Sequence, residues 1–195
     1  NNGAFLTKKI GNELDRVDEV CDIPKQDTSD NPLAMANYDV EFDRVCFGYG
    51  DGREVIHDAS LHIGEGTSCA IVGPSGSGKT TLVNLIARFY DVNSGAVKVG
   101  GADVRSGTAE SLLEQISLVF QDVYLFNDTI ENNIRFGVPD ATHEQVVAVA
   151  QAARCHEFIS DLPHGYDTVL EEGGASLSGG ERQRISIARA MLKDA

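Results

Sequence analysis

The sequence predicts an α/β fold organised around a strand, a glycine loop and a helix, and three observations point there. Gly73-Pro74-Ser75-Gly76-Ser77-Gly78-Lys79-Thr80-Thr81 fits G-x-x-x-x-G-K-[ST], the pattern of a phosphate-cradling loop. The apolar run Thr67-Ser68-Cys69-Ala70-Ile71-Val72 precedes it, and Leu82, Leu85, Ile86 and Phe89 follow at helical spacing. Short alternating segments dominate up to Val99, whereas from Thr129 onward the pattern is mostly helical. At 195 residues and 42% hydrophobic content the chain suits one domain, or one with a small inserted lobe.

Taken in order, residues Asn1 to Cys21 read as an amphipathic helix, with Leu6, Ile10, Leu14, Val17 and Cys21 at spacings of three or four. Pro24, Pro32 and the polar stretch Gln26 to Asn31 form a linker. Val40-Glu41-Phe42 and Val45-Cys46-Phe47 alternate as half-buried strands, and Gly50-Asp51-Gly52 reads as a hairpin turn. Leu61-His62-Ile63 and Val97-Lys98-Val99 alternate again. Thr67 to Val72 is expected as a buried parallel strand, and Ile116-Ser117-Leu118-Val119-Phe120 as a further core strand ending at Gln121. Thr142 and Gln145 form a capping box ahead of Val146, Val149, Ala150 and Ala153. His143, His156 and His164 have no metal-ligand spacing and read as surface or capping residues.

Each residue type in the loop has a chemical reason. Its glycines admit backbone conformations closed to other residues, so successive N–H groups can converge on a β-phosphate. The start of the following helix adds a positive dipole end. Lys79 would reach the β- and γ-phosphates, and Thr80 would offer its hydroxyl to Mg²⁺. A second motif, Leu177-Ser178-Gly179-Gly180-Glu181-Arg182-Gln183, has two compatible readings. Ser178 and Glu181 make a capping box before Ile185, Ala188 and Leu192, and a glycine-led helix start is also an anion site.

That second motif, continued by Arg184-Ile185-Ser186-Ile187-Ala188-Arg189-Ala190, resembles the signature sequence of ABC-type ATPases. From about Val40 to the last residue the chain resembles the nucleotide-binding domain of an exporter-type ABC transporter. The matches include Phe47-Gly48-Tyr49, Arg88-Phe89-Tyr90-Asp91 with Ser94-Gly95, and Val119-Phe120-Gln121-Asp122. Leu125-Phe126, Thr129 to Ile134, Phe158-Ile159, Leu162-Pro163 and Gly165-Tyr166-Asp167-Thr168 continue the likeness. Glu172 matches an acidic family position, but Glu171 and Gly173 stand where the family commonly has glycine and a basic residue.

The resemblance implies a P-loop NTPase core with a RecA/F1-like parallel sheet, an antiparallel β lobe and an inserted α-helical lobe. It divides the chain into an entry helix and linker from a membrane domain (1–36), the β lobe and core (37–121), the helical lobe (122–176) and the signature helix (177–195). Tyr49 would stack on adenine, Gly73 to Thr81 would hold the phosphates, and Thr80 with Gln121 would meet Mg²⁺. Lys79 and Gln121 would serve ATP hydrolysis. Ser178, Gly179, Gly180 and Glu181 would contact the ATP bound by an opposite subunit. Implied partners are a second nucleotide-binding domain and a transmembrane domain engaged through its coupling helices. The implied place is the cytoplasmic face of a membrane, with a bacterial cell membrane favoured. The family's Walker B aspartate, catalytic glutamate and switch histidine are not assignable here. These 195 residues are therefore expected to bind nucleotide without turning it over, and to lack a strand that would pair within the core.

The formal charge of −14 excludes nonspecific nucleic-acid binding as the main activity. It also disfavours the alternative of a soluble ABC ATPase acting in DNA repair or translation. A P-loop kinase or GTPase with an accidental signature would leave the matches between Val119 and Ala190 unexplained. Cys21, Cys46, Cys69 and Cys155 show no C-x-x-C spacing and fit a reduced compartment. No signal peptide or bilayer-length apolar run is visible in the sequence.

Overall fold

The computed structural model describes residues 30–50 and 52–194, so the helix expected over Asn1 to Cys21 and the first part of the linker lie outside the described residues. Two compact units divide between Ala109 and Glu110.

The first unit holds a four-stranded antiparallel sheet in the order β2-β1-β3-β4, from β1 (Val40–Gly48), β2 (Glu54–Ile63), β3 (Ser94–Val99) and β4 (Ala102–Asp103). Phe42 faces Leu61 on one side and Val97 on the other. Strict alternation would send Val45 to the opposite face from Phe42. The register shifts between them, and Arg44 takes a left-handed φ of 47°, so Phe42, Val45 and Phe47 are all buried. Lys98, opposite Glu41, donates to the carboxylates of Glu41 and Asp43, and its ammonium holds the Asp43 pKa below the ordinary carboxylate value.

Helix α1 (Lys79–Ile86) follows the glycine loop and buries Thr81 and Leu85. Its far end is fixed by Arg88, whose buried guanidinium donates to the carbonyls of Val104 (3.1 Å) and Gly107 (2.9 Å) and to Asp91 (3.0 Å). A buried guanidinium persists only with such partners.

Two expected core strands are not formed. Thr67 to Val72 and Ile116 to Phe120 carry no strand, and Val72 is 87% and Phe120 54% exposed. An apolar run becomes a strand when a neighbour pairs its N–H and C=O groups. No strand among the described residues pairs with either run, so neither gains a ladder. The described sheet is the antiparallel one. By contrast, the short alternations at Val40–Phe47, Leu61–Ile63 and Val97–Val99 all lie within its strands.

The second unit is helical: α2 (Ala109–Glu114) at its start, then α3 (Ile130–Arg135), α4 (His143–Ala152), α5 (His156–Ser160) and α6 (Gly179–Lys193). Leu125, Ile130, Ile134, Val146, Ala150, Ile159, Leu170, Ile185 and Ala188 form its core. Thr142 caps α4 through the expected box, its hydroxyl accepting the Gln145 N–H while Gln145 accepts the Thr142 N–H. Asn133 is 1% exposed and fully engaged. It accepts the Phe126 N–H (2.8 Å), donates to the carbonyls of Phe126 and Thr129 (both 3.0 Å), and its own carbonyl accepts from Arg189 Nε (2.7 Å).

Cys155 is buried here, and burial pushes its thiol up to about 11 from the ordinary 9.0. The raised value means that the folded state holds this proton more tightly than the unfolded state does. Its contribution is therefore complete below pH 9 and is lost as pH rises through 11. Cys155→Ala should make the urea midpoint fall less steeply between pH 8.5 and 11. Equal slopes for the two proteins would contradict the burial of this thiol.

Candidate functional site

Gly73 to Ser77 form an exposed loop that enters α1 at Gly78. Gly76 and Gly78 hold φ values of 79° and 86°, in the left-handed region that favours glycine. Space restricts the loop as well. A Cβ at Gly73 would lie 2.7 Å from Ser77 Oγ, and one at Gly78 would lie 2.7 Å from Ile56 Cδ1. The Lys79 ammonium reaches back over the loop and donates to the carbonyls of Gly73 (3.0 Å) and Pro74 (2.6 Å). Ser77 Oγ lies 3.5 Å from it. No side chain caps the start of α1. First-turn N–H groups without a side-chain acceptor, beside a glycine loop and a mobile ammonium, suit a polyphosphate.

Tyr49, the residue expected to stack on adenine, lies in the same unit. Tyr49 follows β1, and its hydroxyl shares a 3.0 Å hydrogen bond with Oγ1 of Thr81, in the first turn of α1. Its ring meets Phe47 at 5.0 Å and Tyr90 at 5.1 Å between centroids, nearly perpendicular to both. Asn93 accepts the Gly48 N–H (2.6 Å) and pins the chain just before Tyr49. A groove of about 300 Å³ is lined by Tyr49, Arg53, Glu54 and Asn93. Asn93 and Tyr90 carry no local signal for these contacts in the sequence, since both act across more than forty residues.

In the second unit Ser178 caps α6. Its hydroxyl accepts the Glu181 N–H (3.3 Å), and Glu181 accepts the Ser178 N–H (2.7 Å). These bonds from Ser178 hold the Glu181 carboxyl below its ordinary value. Capping uses a lone pair of the Ser178 oxygen and leaves the hydroxyl proton able to donate elsewhere. Ser178, Gly179 and Gly180 are exposed, so the helix start is open to a ligand. Gln121 is exposed in the loop that follows Phe120. A larger groove of about 560 Å³ lies on this unit between α4 and α5, beside His143, His156 and Tyr166. Its histidines are engaged, His143 with Glu131 (2.7 Å) and His156 with the Tyr166 hydroxyl (2.9 Å), and the phosphate loop is not among its lining.

Comparison with known proteins decides among the families that use such a loop. The ABC transporter family model matches residues 56–195. The chain belongs to the ABC transporter family. It is 47% identical over its whole length to the putative multidrug export ATP-binding/permease protein YgaD of Bacillus subtilis, covering 34% of that protein. It is 49% identical over 92% of its length to the ATP-dependent lipid A-core flippase of Desulfotalea psychrophila, covering 32% of it. Among solved structures, a bacterial Atm1-family ABC exporter with ATP bound matches 93% of the chain and 32% of its own, at TM-score 0.87 and 41% identity. The chain thus spans about a third of the length of each of these two relatives. It carries the α/β P-loop fold of an ABC ATPase domain. Among the described residues no helix is long and apolar enough to cross a membrane.

Proposed function

We propose that this chain is the ATP-hydrolysing motor of a membrane exporter, and that ATP-dependent pairing with a second nucleotide-binding domain drives transport. The observation that carries the reading is the Lys79 ammonium held over the glycine loop at an uncapped helix start, with Tyr49 tied to that same helix. The triphosphate would replace the Gly73 and Pro74 carbonyls as the partner of Lys79. The adenine would stack on Tyr49. The amide oxygen of Gln121 is a hard oxygen donor of the kind Mg²⁺ takes, and so is the hydroxyl of Thr80, exposed on α1 beside the phosphate loop. Bound there, Mg²⁺ would offset phosphate charge.

Ser178 and the N–H groups of Gly179 and Gly180 would meet the γ-phosphate held by the other subunit. Loss of that phosphate removes an interaction made only in the pair, so hydrolysis loosens it. The surface for the membrane domain is the aromatic patch of Tyr124, Phe126 and Phe136. All three are exposed, the last two stack at 4.4 Å, and Arg189 lies 5.6 Å over each of those rings. Exposed aromatics gathered in this way suit the coupling helices of a transmembrane domain better than water. Docked in this way, the chain would work at the cytoplasmic face of the membrane.

The base half of the reading is tested by Tyr49→Ala. Loss of stacking should weaken Mg-ATP binding by about 1–3 kcal/mol, read by titration calorimetry. Unchanged affinity would show that another residue holds the adenine.

A further inference from the structure

Tyr49 is a single ring at the end of a strand, next to a turn, and stacking on a base requires that its plane be held. Its hydroxyl bond to Thr81 fixes one point of the ring. A single point leaves the plane free to swing about the line through it. Two further contacts remove that freedom. Phe47, buried near the end of β1, meets the Tyr49 ring at 83°, and Tyr90 meets it at 87°. Phe47 and Tyr90 also touch each other, at 5.6 Å, so the three rings close a triangle.

Tyr90 stands on a fixed base. It follows Arg88, whose guanidinium is locked by Val104, Gly107 and Asp91. Tyr90 is 44% exposed, and the covered side of its ring lies against Phe47 and Tyr49. We propose that Tyr90 is a positioning residue for the nucleotide base, acting through Tyr49 by holding its ring plane. This rests on the reading of Tyr49 as the base-stacking residue. One consequence links the two halves of the site. Both Thr81 and Tyr90 belong to α1 or its immediate continuation, so the helix that starts at the phosphate loop also orients the base platform.

The role can be separated from a general structural one by comparing two ligands. Mg-ATP uses base and phosphates, whereas inorganic tripolyphosphate uses the phosphate loop alone. Edge-to-face ring pairs contribute about 0.5–1.5 kcal/mol, so Tyr90→Leu should weaken Mg-ATP binding about two- to twelve-fold. Tripolyphosphate binding should be unchanged, and Tyr90→Phe, which keeps the ring, should restore the ATP affinity. In a Tyr49→Ala background Tyr90→Leu should have no further effect. Equal weakening of both ligands, or failure of Tyr90→Phe to restore affinity, would overturn the proposal. So would an undiminished effect in the Tyr49→Ala background, which would mean that Tyr90 touches the base directly. If Tyr90→Leu lowers the folded fraction, Tyr90→Phe and the double variant still decide the matter. Failure of the underlying reading looks different, because Tyr49→Ala alone would then leave ATP affinity intact.

Discussion

Lys79→Ala should lower Mg-ATP affinity by about a hundred-fold or more, the largest effect expected of any single change in the loop. Hydrogen bonds to charged groups contribute about 1.5–3 kcal/mol each, and Lys79 can place more than one on the β- and γ-phosphates. Its present acceptors, the carbonyls of Gly73 and Pro74, are neutral and can be exchanged for phosphate oxygens without rebuilding the loop. The fold should tolerate the change, since those two carbonyls lie in an exposed loop where water can replace the ammonium. Calorimetric titration beside a thermal melt reads both quantities. A modest loss of affinity would mean that the helix start and glycine N–H groups dominate phosphate binding.

Ser178→Arg should abolish ATP-dependent pairing while leaving ATP binding by the single chain nearly unchanged. Arginine removes the hydroxyl and places a bulky side chain over the exposed start of α6. It also removes the N-cap acceptor that now serves the Glu181 N–H, so stability should drop by about 1 kcal/mol. The stability loss and the pairing loss are separable by size exclusion with Mg-ATP run beside a melt. Collapse of the fold, with no selective loss of pairing, would mean that Ser178 serves chiefly as a cap.

The parts of the site legible in the sequence were those written in local spacing. The glycine loop is contiguous, and the boxes Thr142–Gln145 and Ser178–Glu181 each span one helical turn, so residue types alone announce them. β1 and β3 could be read because burial alternates along much of each strand. β2 is longer than its alternation suggested, because Asp58 takes a positive φ of 45° and the register against β1 shifts, breaking the period of two. The runs at Thr67–Val72 and Ile116–Phe120 are apolar enough for a core, but strand formation depends on a pairing partner, which no local pattern specifies. The buried polar groups were the least legible. Asn133 and Arg88 look like ordinary surface residues until their carbonyl partners, close in space, are known. Tyr90 belongs with them, since its contact with Tyr49 crosses forty-one positions. The exporter resemblance supplied what spacing could not, a proposed role for the signature helix start in a partner's nucleotide site.

That role in trans is the central claim, and mixing two defective chains tests it most directly. In the protein that carries this sequence, Lys79→Ala spoils the phosphate loop and keeps the signature, whereas Ser178→Arg does the reverse. Each variant alone should remain monomeric with Mg-ATP, because every site in its homodimer is broken. A one-to-one mixture can form a heterodimer with one intact site, the loop of the Ser178→Arg chain facing the signature of the Lys79→Ala chain. Sedimentation velocity with Mg-ATP should therefore show dimer in the mixture and monomer in each variant alone. A mixture that sediments as the sum of its parts, while the wild-type chain pairs, would contradict assembly of the site from two chains.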